Sequence, residues 1–97
     1  MDTYVVLRRS GFASAEELKE AVGRSRVACQ GMPDDVRWIR SYLLDEEDGA
    51  IGSVCVIEAT SPEAIHIHAA KTDLPVDEIV KVGRTVVMQE DPVPVAG

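Results

Sequence analysis

The residues in this 97-residue chain with the most chemical potential lie in two places, a helical stretch with both histidines and a strand with the only tryptophan. His66 and His68 stand two apart in Glu63-Ala64-Ile65-His66-Ile67-His68-Ala69. On a helix that spacing sends the rings to roughly opposite sides, so one helix cannot offer both to a single metal ion. His66 reads as a surface side chain. His68 shares a stripe with Ala64, Ile65 and Ala69. It is either a packed histidine bonded to a carbonyl or a tyrosine, or a contact for a metal or ligand. Cys55 lies in an alternating strand pattern and is either a buried, inert thiol or, as thiolate, a donor to a soft or borderline divalent ion.

Simple alternation along Val36–Asp45 puts Trp38, Arg40 and Tyr42 on one face. They form the core of a dimer seam or the wall of an enclosed site. Enclosure would oblige Arg40 and Glu58 to pair or to meet a ligand. The acidic run Asp45-Glu46-Glu47-Asp48 offers oxygen donors without the spacing of a calcium loop, and reads as a solvated turn. There is no glycine-rich phosphate loop and no Ser or Cys nucleophile in a known local motif.

Composition narrows the classes further. A hydrophobic fraction of 45% supports a packed core, while a formal net charge of -7 disfavours nucleic acid and anionic membrane surfaces as partners. Cys29 and Cys55 follow no close-spaced metal or redox pattern and read as reduced thiols. Met1-Asp2-Thr3 leads straight into a strand without a leader pattern, and no apolar run is long enough for a bilayer. A cytoplasmic protein is expected.

The positioning elements follow from periodicity. Tyr4–Leu7 reads as a first strand closed by Gly11. Ser14 and Glu17 form a capping-box pair ahead of a helix that ends near Gly31, with Leu18, Ala21, Val22, Ser25 and Cys29 as its stripe. Val36–Asp45 and Ile51–Ala59 are strands joined through Asp48-Gly49. Ser61-Pro62 starts a second helix ending near Asp73, and Glu78–Met88 is the last strand. Residues 1–90 make one domain, and 91–97, with Pro92 and Pro94, a flexible tail.

Strand, helix, hairpin, helix, strand with right-handed crossovers is the ferredoxin-like βαββαβ layout of an α+β protein, a four-stranded antiparallel sheet with both helices on one face. The other face, assigned Trp38, Tyr42, Val54 and Val56, is too apolar to leave uncovered. A homodimer through that face, forming an α+β barrel, is expected.

The stretch Trp38-x-x-Ser41-Tyr42, then Cys55, then Glu63-Ala64-Ile65-x-x-His68-Ala69, then Leu74-Pro75-x-Asp77-x-Ile79, resembles a family of small bacterial ferredoxin-like proteins catalogued as a domain of unknown function, with a nickel-binding dimer among its members. The resemblance spans nearly the whole chain apart from the tail. It implies a dimeric α+β barrel that binds nickel or a similar divalent transition metal, with no nucleotide or haem. Carried over position by position, it points to His68, Cys55 and Tyr42 as metal residues, and to Trp38, Arg40, Ser41 and Glu58 as cavity or interface lining. The chain departs from the pattern at Ile67, where relatives often carry Glu, at Arg40, which is His in some, and at Val54 and Ile57, where relatives carry aromatics. Two other functions share the fold: a small enzyme of the monooxygenase or isomerase type using Tyr42, His68 and Arg40, and a purely structural or ligand-binding module.

Overall fold

Two serines set the helices. Ser14 Oγ accepts from the Glu17 amide at 3.3 Å while the Glu17 carboxylate reaches back to the Ala13 amide at 2.8 Å. Ser61 Oγ accepts from the Ala64 amide at 3.3 Å, with Pro62 at the first helical position. In the computed structural model, which describes residues 1–92, these caps open α1 (Ala15–Gln30) and α2 (Pro62–Thr72). The strands are β1 (Asp2–Phe12), β2 (Val36–Asp45), β3 (Ile51–Ala59) and β4 (Glu78–Lys81). The fold is the expected α+β, ferredoxin-like βαββαβ unit, with an antiparallel sheet in the order β2-β3-β1-β4. Among the described residues no helix is long and apolar enough to cross a membrane.

Helix-facing positions alternate along the strands. Tyr4, Val6 and Arg8 of β1 and Ser53, Cys55, Ile57 and Ala59 of β3 are all buried. In α2, Ala64, Ile65, His68, Ala69 and Thr72 are buried, the expected stripe extended by one turn. In α1 only Ala21 and Ser25 are buried. Leu18 and Cys29 are half-buried and Val22 is exposed, so the inward line of α1 is narrower than the spacing suggests.

Three strands depart from expectation. β1 continues through Gly11 to Phe12, its register with β3 shifting between Arg8 and Phe12, with Ser10 at φ 48°. Glu46 holds this irregular corner, taking Arg9 Nε and Nη2 at 2.9 Å each and the Ser10 amide at 3.1 Å, so it is a structural clamp rather than a solvated turn residue. β4 stops at Lys81, short of Met88, because its antiparallel register runs out of partner: Lys81 already lies opposite Tyr4, and Val82 makes a last bond to the Thr3 carbonyl at 2.9 Å. The expected tail at 91–97 is described only to Pro92, where Asp91 pairs with Arg40; 93–97 lie outside the described residues.

The third departure matters most. The pairing of β2 with β3 runs Trp38 opposite Ile57, then Arg40 opposite Val56, so Ile39 is an extra residue. From Arg40 onward every side chain changes face relative to simple alternation. Trp38 therefore faces the helices rather than the open side. It shares that layer with Ser41, which lies opposite Cys55, while Arg40 and Tyr42 go to the open face opposite Val56 and Val54.

The corner at Gly52 tolerates no side chain. A Cβ there would lie 2.9 Å from the Arg8 carbonyl oxygen and closer still to the Glu46 carboxylate. Gly52→Ala is expected to lower stability by roughly 1–3 kcal/mol through overpacking, read as a reduced urea midpoint with unchanged slope.

Candidate functional site

A polar cluster occupies the layer between the sheet and the helices. Arg8 from β1 is wholly buried in the line that begins Tyr4 and Val6. Its Nη1 donates to Cys55 Sγ at 3.2 Å, and among the described residues Nε and Nη2 have no partner. Ser41 Oγ also donates to Cys55 Sγ, at 3.2 Å, and itself accepts from Trp38 Nε1 at 2.8 Å. The bulge at Ile39 makes this relay possible, since residues three apart on a regular strand would face opposite ways. The Arg8 guanidinium lies 5.5 Å from the centre of the Trp38 ring, and Trp38 meets the His68 ring edge-on, centroids 5.5 Å apart.

On the other side of Trp38 a second sulfur meets the imidazole. Cys29 Sγ, in the last turn of α1, lies 3.3 Å from His68 Nε2, and the Ser25 carbonyl oxygen lies 3.4 Å from the same nitrogen. His68 is fully buried, and among the described residues its Nδ1 has no partner. Burial holds the His68 pKa below the usual histidine value; the Ser25 carbonyl opposes this, and the positive charges of Arg8 and Lys71 add to it. The ring is therefore neutral, and Nε2 has a lone pair for a metal ion only in the tautomer that carries its proton on Nδ1. Burial pushes the Cys29 thiol up, partly offset by a bond from the Trp38 backbone.

The expected site residues fall into three groups. His68, Cys55, Trp38 and Ser41 share the inner layer, but His68 has Cys29 as its sulfur neighbour, and Cys55 has Arg8. Tyr42 lies across the sheet on the open face, 42% exposed. Arg40 and Glu58 share that face but do not pair: Arg40 binds Asp91, and Glu58 binds Arg37 at 3.0 Å. Tyr42 and Arg40 thus stand on the opposite face from His68, so a single chain does not assemble the three residues the enzyme reading needs.

Cys29, Arg8, Ser25 and Ser53 complete the inner cluster and went unnamed as site residues. Cys29 did carry a signal, since it already sat on the inward stripe of α1. Arg8 had one too, as the next inward step after Tyr4 and Val6.

The family model described as "Nickel responsive protein SCO4226-like" matches residues 4–82. The chain belongs to this family. SCO4226-like proteins share the fold seen here: the crystal structure of SCO4226 from Streptomyces coelicolor A3(2) superposes with a TM-score of 0.68 at 15% identity, covering 87% of this chain and 99% of that one. No curated protein matches the chain. A nickel-related role therefore attaches to the family, and the donors here fit it in kind, imidazole and thiol being suited to late divalent ions. They do not fit it in number. Among the described residues no three His, Cys, Asp or Glu side chains converge as a metal site. Among the described residues of this SCO4226-like protein, the nearest pairing of such groups is Cys29 Sγ with His68 Nε2.

The buried ring also sets a pH response. With its folded pKa below the unfolded value of about 6.5, the unfolded chain takes up the proton first. The His68 contribution is then complete above that value and falls as pH drops below it. Urea midpoints of the metal-free protein should decline between pH 7.5 and 5.5, and His68→Gln should flatten that decline.

Proposed function

We propose that the protein is a small cytoplasmic homodimer that binds nickel or a similar late divalent ion, without catalytic activity of its own. The contact of Cys29 Sγ with His68 Nε2 at 3.3 Å carries this reading, as two donors of the right chemical type already face one another. The family's nickel-responsive description supports it. Remaining coordination positions fall to water or to a second copy of the chain. Affinity rises with pH, because the thiol must give up its proton to bind.

Calorimetric titration with nickel decides between the donors. Cys29→Ser and His68→Ala should each weaken binding by at least about tenfold, the scale on which even outer residues of a metal site act. Cys55→Ser and Tyr42→Phe should bind as the parent does. A loss confined to Cys55→Ser and Tyr42→Phe would transfer the site to those residues.

The dimer reading rests on the open sheet face, where Leu7 lies opposite Val54, Val5 opposite Val56, and Tyr42 and Val80 complete an apolar surface. Val54 makes the better probe than Trp38, which is turned towards the helices. Val54→Asp should give a monomer in light scattering with the far-UV circular dichroism retained; a variant that stays dimeric moves the interface elsewhere.

A further inference from the structure

Cys55 is not used by the nickel reading, yet its surroundings are specialised. Cys55 is 1% exposed and lines a cavity of ≈ 40 Å³ between α1 and β2, whose other walls include Phe12, Leu18 and Val22. Two donors point at Sγ, Arg8 Nη1 and Ser41 Oγ, each at 3.2 Å, and Ser53 Oγ lies 3.6 Å away. Arg8 is wholly buried, and its Nε and Nη2 remain unpartnered beside the nitrogen that already touches sulfur. An interior guanidinium with idle N–H groups is a costly arrangement unless something arrives to accept them. An oxygen added to Cys55 would be such an acceptor.

We propose that Cys55 is an oxidation site for hydrogen peroxide, giving a sulfenic acid held by Arg8, Ser41 and Ser53. The sulfur attacks one peroxide oxygen, an S–O bond forms and the O–O bond breaks. The departing oxygen takes the thiol proton and leaves as water, so sulfur is oxidised by two electrons and the peroxide is reduced. Arg8 Nη1 and Ser41 Oγ, already at the sulfur, are the donors nearest the charge that develops as the O–O bond breaks, in an interior where such donors are effective. The apolar walls admit a small neutral peroxide and disfavour charged oxidants. Cys29, with an imidazole and a carbonyl for neighbours, lacks this set of donors.

The reaction needs no metal, so it stands or falls separately from nickel binding. Reduced, chelator-treated protein is exposed to hydrogen peroxide and quenched over time in denaturant. Dimedone and iodoacetamide in the quench then report sulfenic acid and remaining thiol at each cysteine by peptide mass mapping. Cys55 should be consumed at least about tenfold faster than Cys29, although burial alone puts Cys29 first. Ser41→Ala should slow Cys55 and leave Cys29 unchanged, and Arg8→Lys should slow it further. If Arg8→Lys does not fold, Ser41→Ala still decides. Cys29 reacting first, or a Ser41→Ala protein oxidised at Cys55 at the parent rate, overturns the proposal.

Discussion

Arg8 brings a full positive charge into the layer between sheet and helices, and among the described residues no carboxylate hydrogen-bonds to it there. Burial draws its pKa down, opposed by the charge and hydrogen bond of Cys55. What surrounds it follows from that one placement. A sulfur and the face of an indole are what the chain offers in place of an anion, with hydroxyls holding the sulfur, and they come from different strands. Cys55 and Ser53 come from β3, and Ser41 and Trp38 from β2. The apolar core is divided accordingly. Tyr4, Val6, Ile57 and Ile65 belong to one cluster, Phe12, Ala21 and Leu74 to another, and Trp38 packs against both. It is the joint between two hydrophobic regions as well as the floor under the guanidinium.

Trp38 can do both because β2 is bulged. Without the extra residue at Ile39, Trp38 and Ser41 would lie on opposite faces, and the indole N–H could not reach the hydroxyl that holds Cys55. The Trp-x-x-Ser spacing is thus the trace of a bulge. No glycine or proline marks Ile39, so alternation read straight through it and assigned Trp38, Arg40 and Tyr42 to one face. Where the chain marks its helix starts and its hairpin turn chemically, the reading survives; at Gly11 it does not, since β1 runs on to Phe12. Ser14 with Glu17, and Ser61 with Pro62, start the helices where expected, and Gly49 turns the hairpin at φ 85°. The end of β4 could not be read from its own residues. It depends on how far β1 extends opposite it, a property of register rather than composition.

The site was legible in proportion to its dependence on a single element. His68 stood out because the stripe of α2 is local information, and it is buried as that stripe requires. Its sulfur partner was not, since choosing between Cys29 and Cys55 needs the placement of α1 over β2. Arg8 was hidden by a different effect. A charged residue after Tyr4-Val5-Val6-Leu7 reads as the edge of a strand, although the inward alternation runs on through it to 0% exposure. The open face was read correctly for Val54, Val56 and Tyr42, while Trp38, on the other side of the bulge, was assigned to the wrong face.

Electrostatics separates the two sulfurs. Unit charges about 4 Å apart interact by roughly 4 kcal/mol at the effective dielectric near a protein surface, and a divalent ion doubles that. A cation on Cys55 would meet such a repulsion from Arg8 at 3.2 Å from the same sulfur. At Cys29 the neighbours are a neutral imidazole and the Ser25 carbonyl, both able to donate electron pairs. Trp38 touches the neighbours of both sulfurs, its ring 5.5 Å from the His68 ring centroid and 5.5 Å from the Arg8 guanidinium. The same layer therefore holds a thiol disposed towards cations and a thiol disposed towards an added oxygen. The guanidinium that would repel a metal ion from Cys55 is the group that would hold that oxygen.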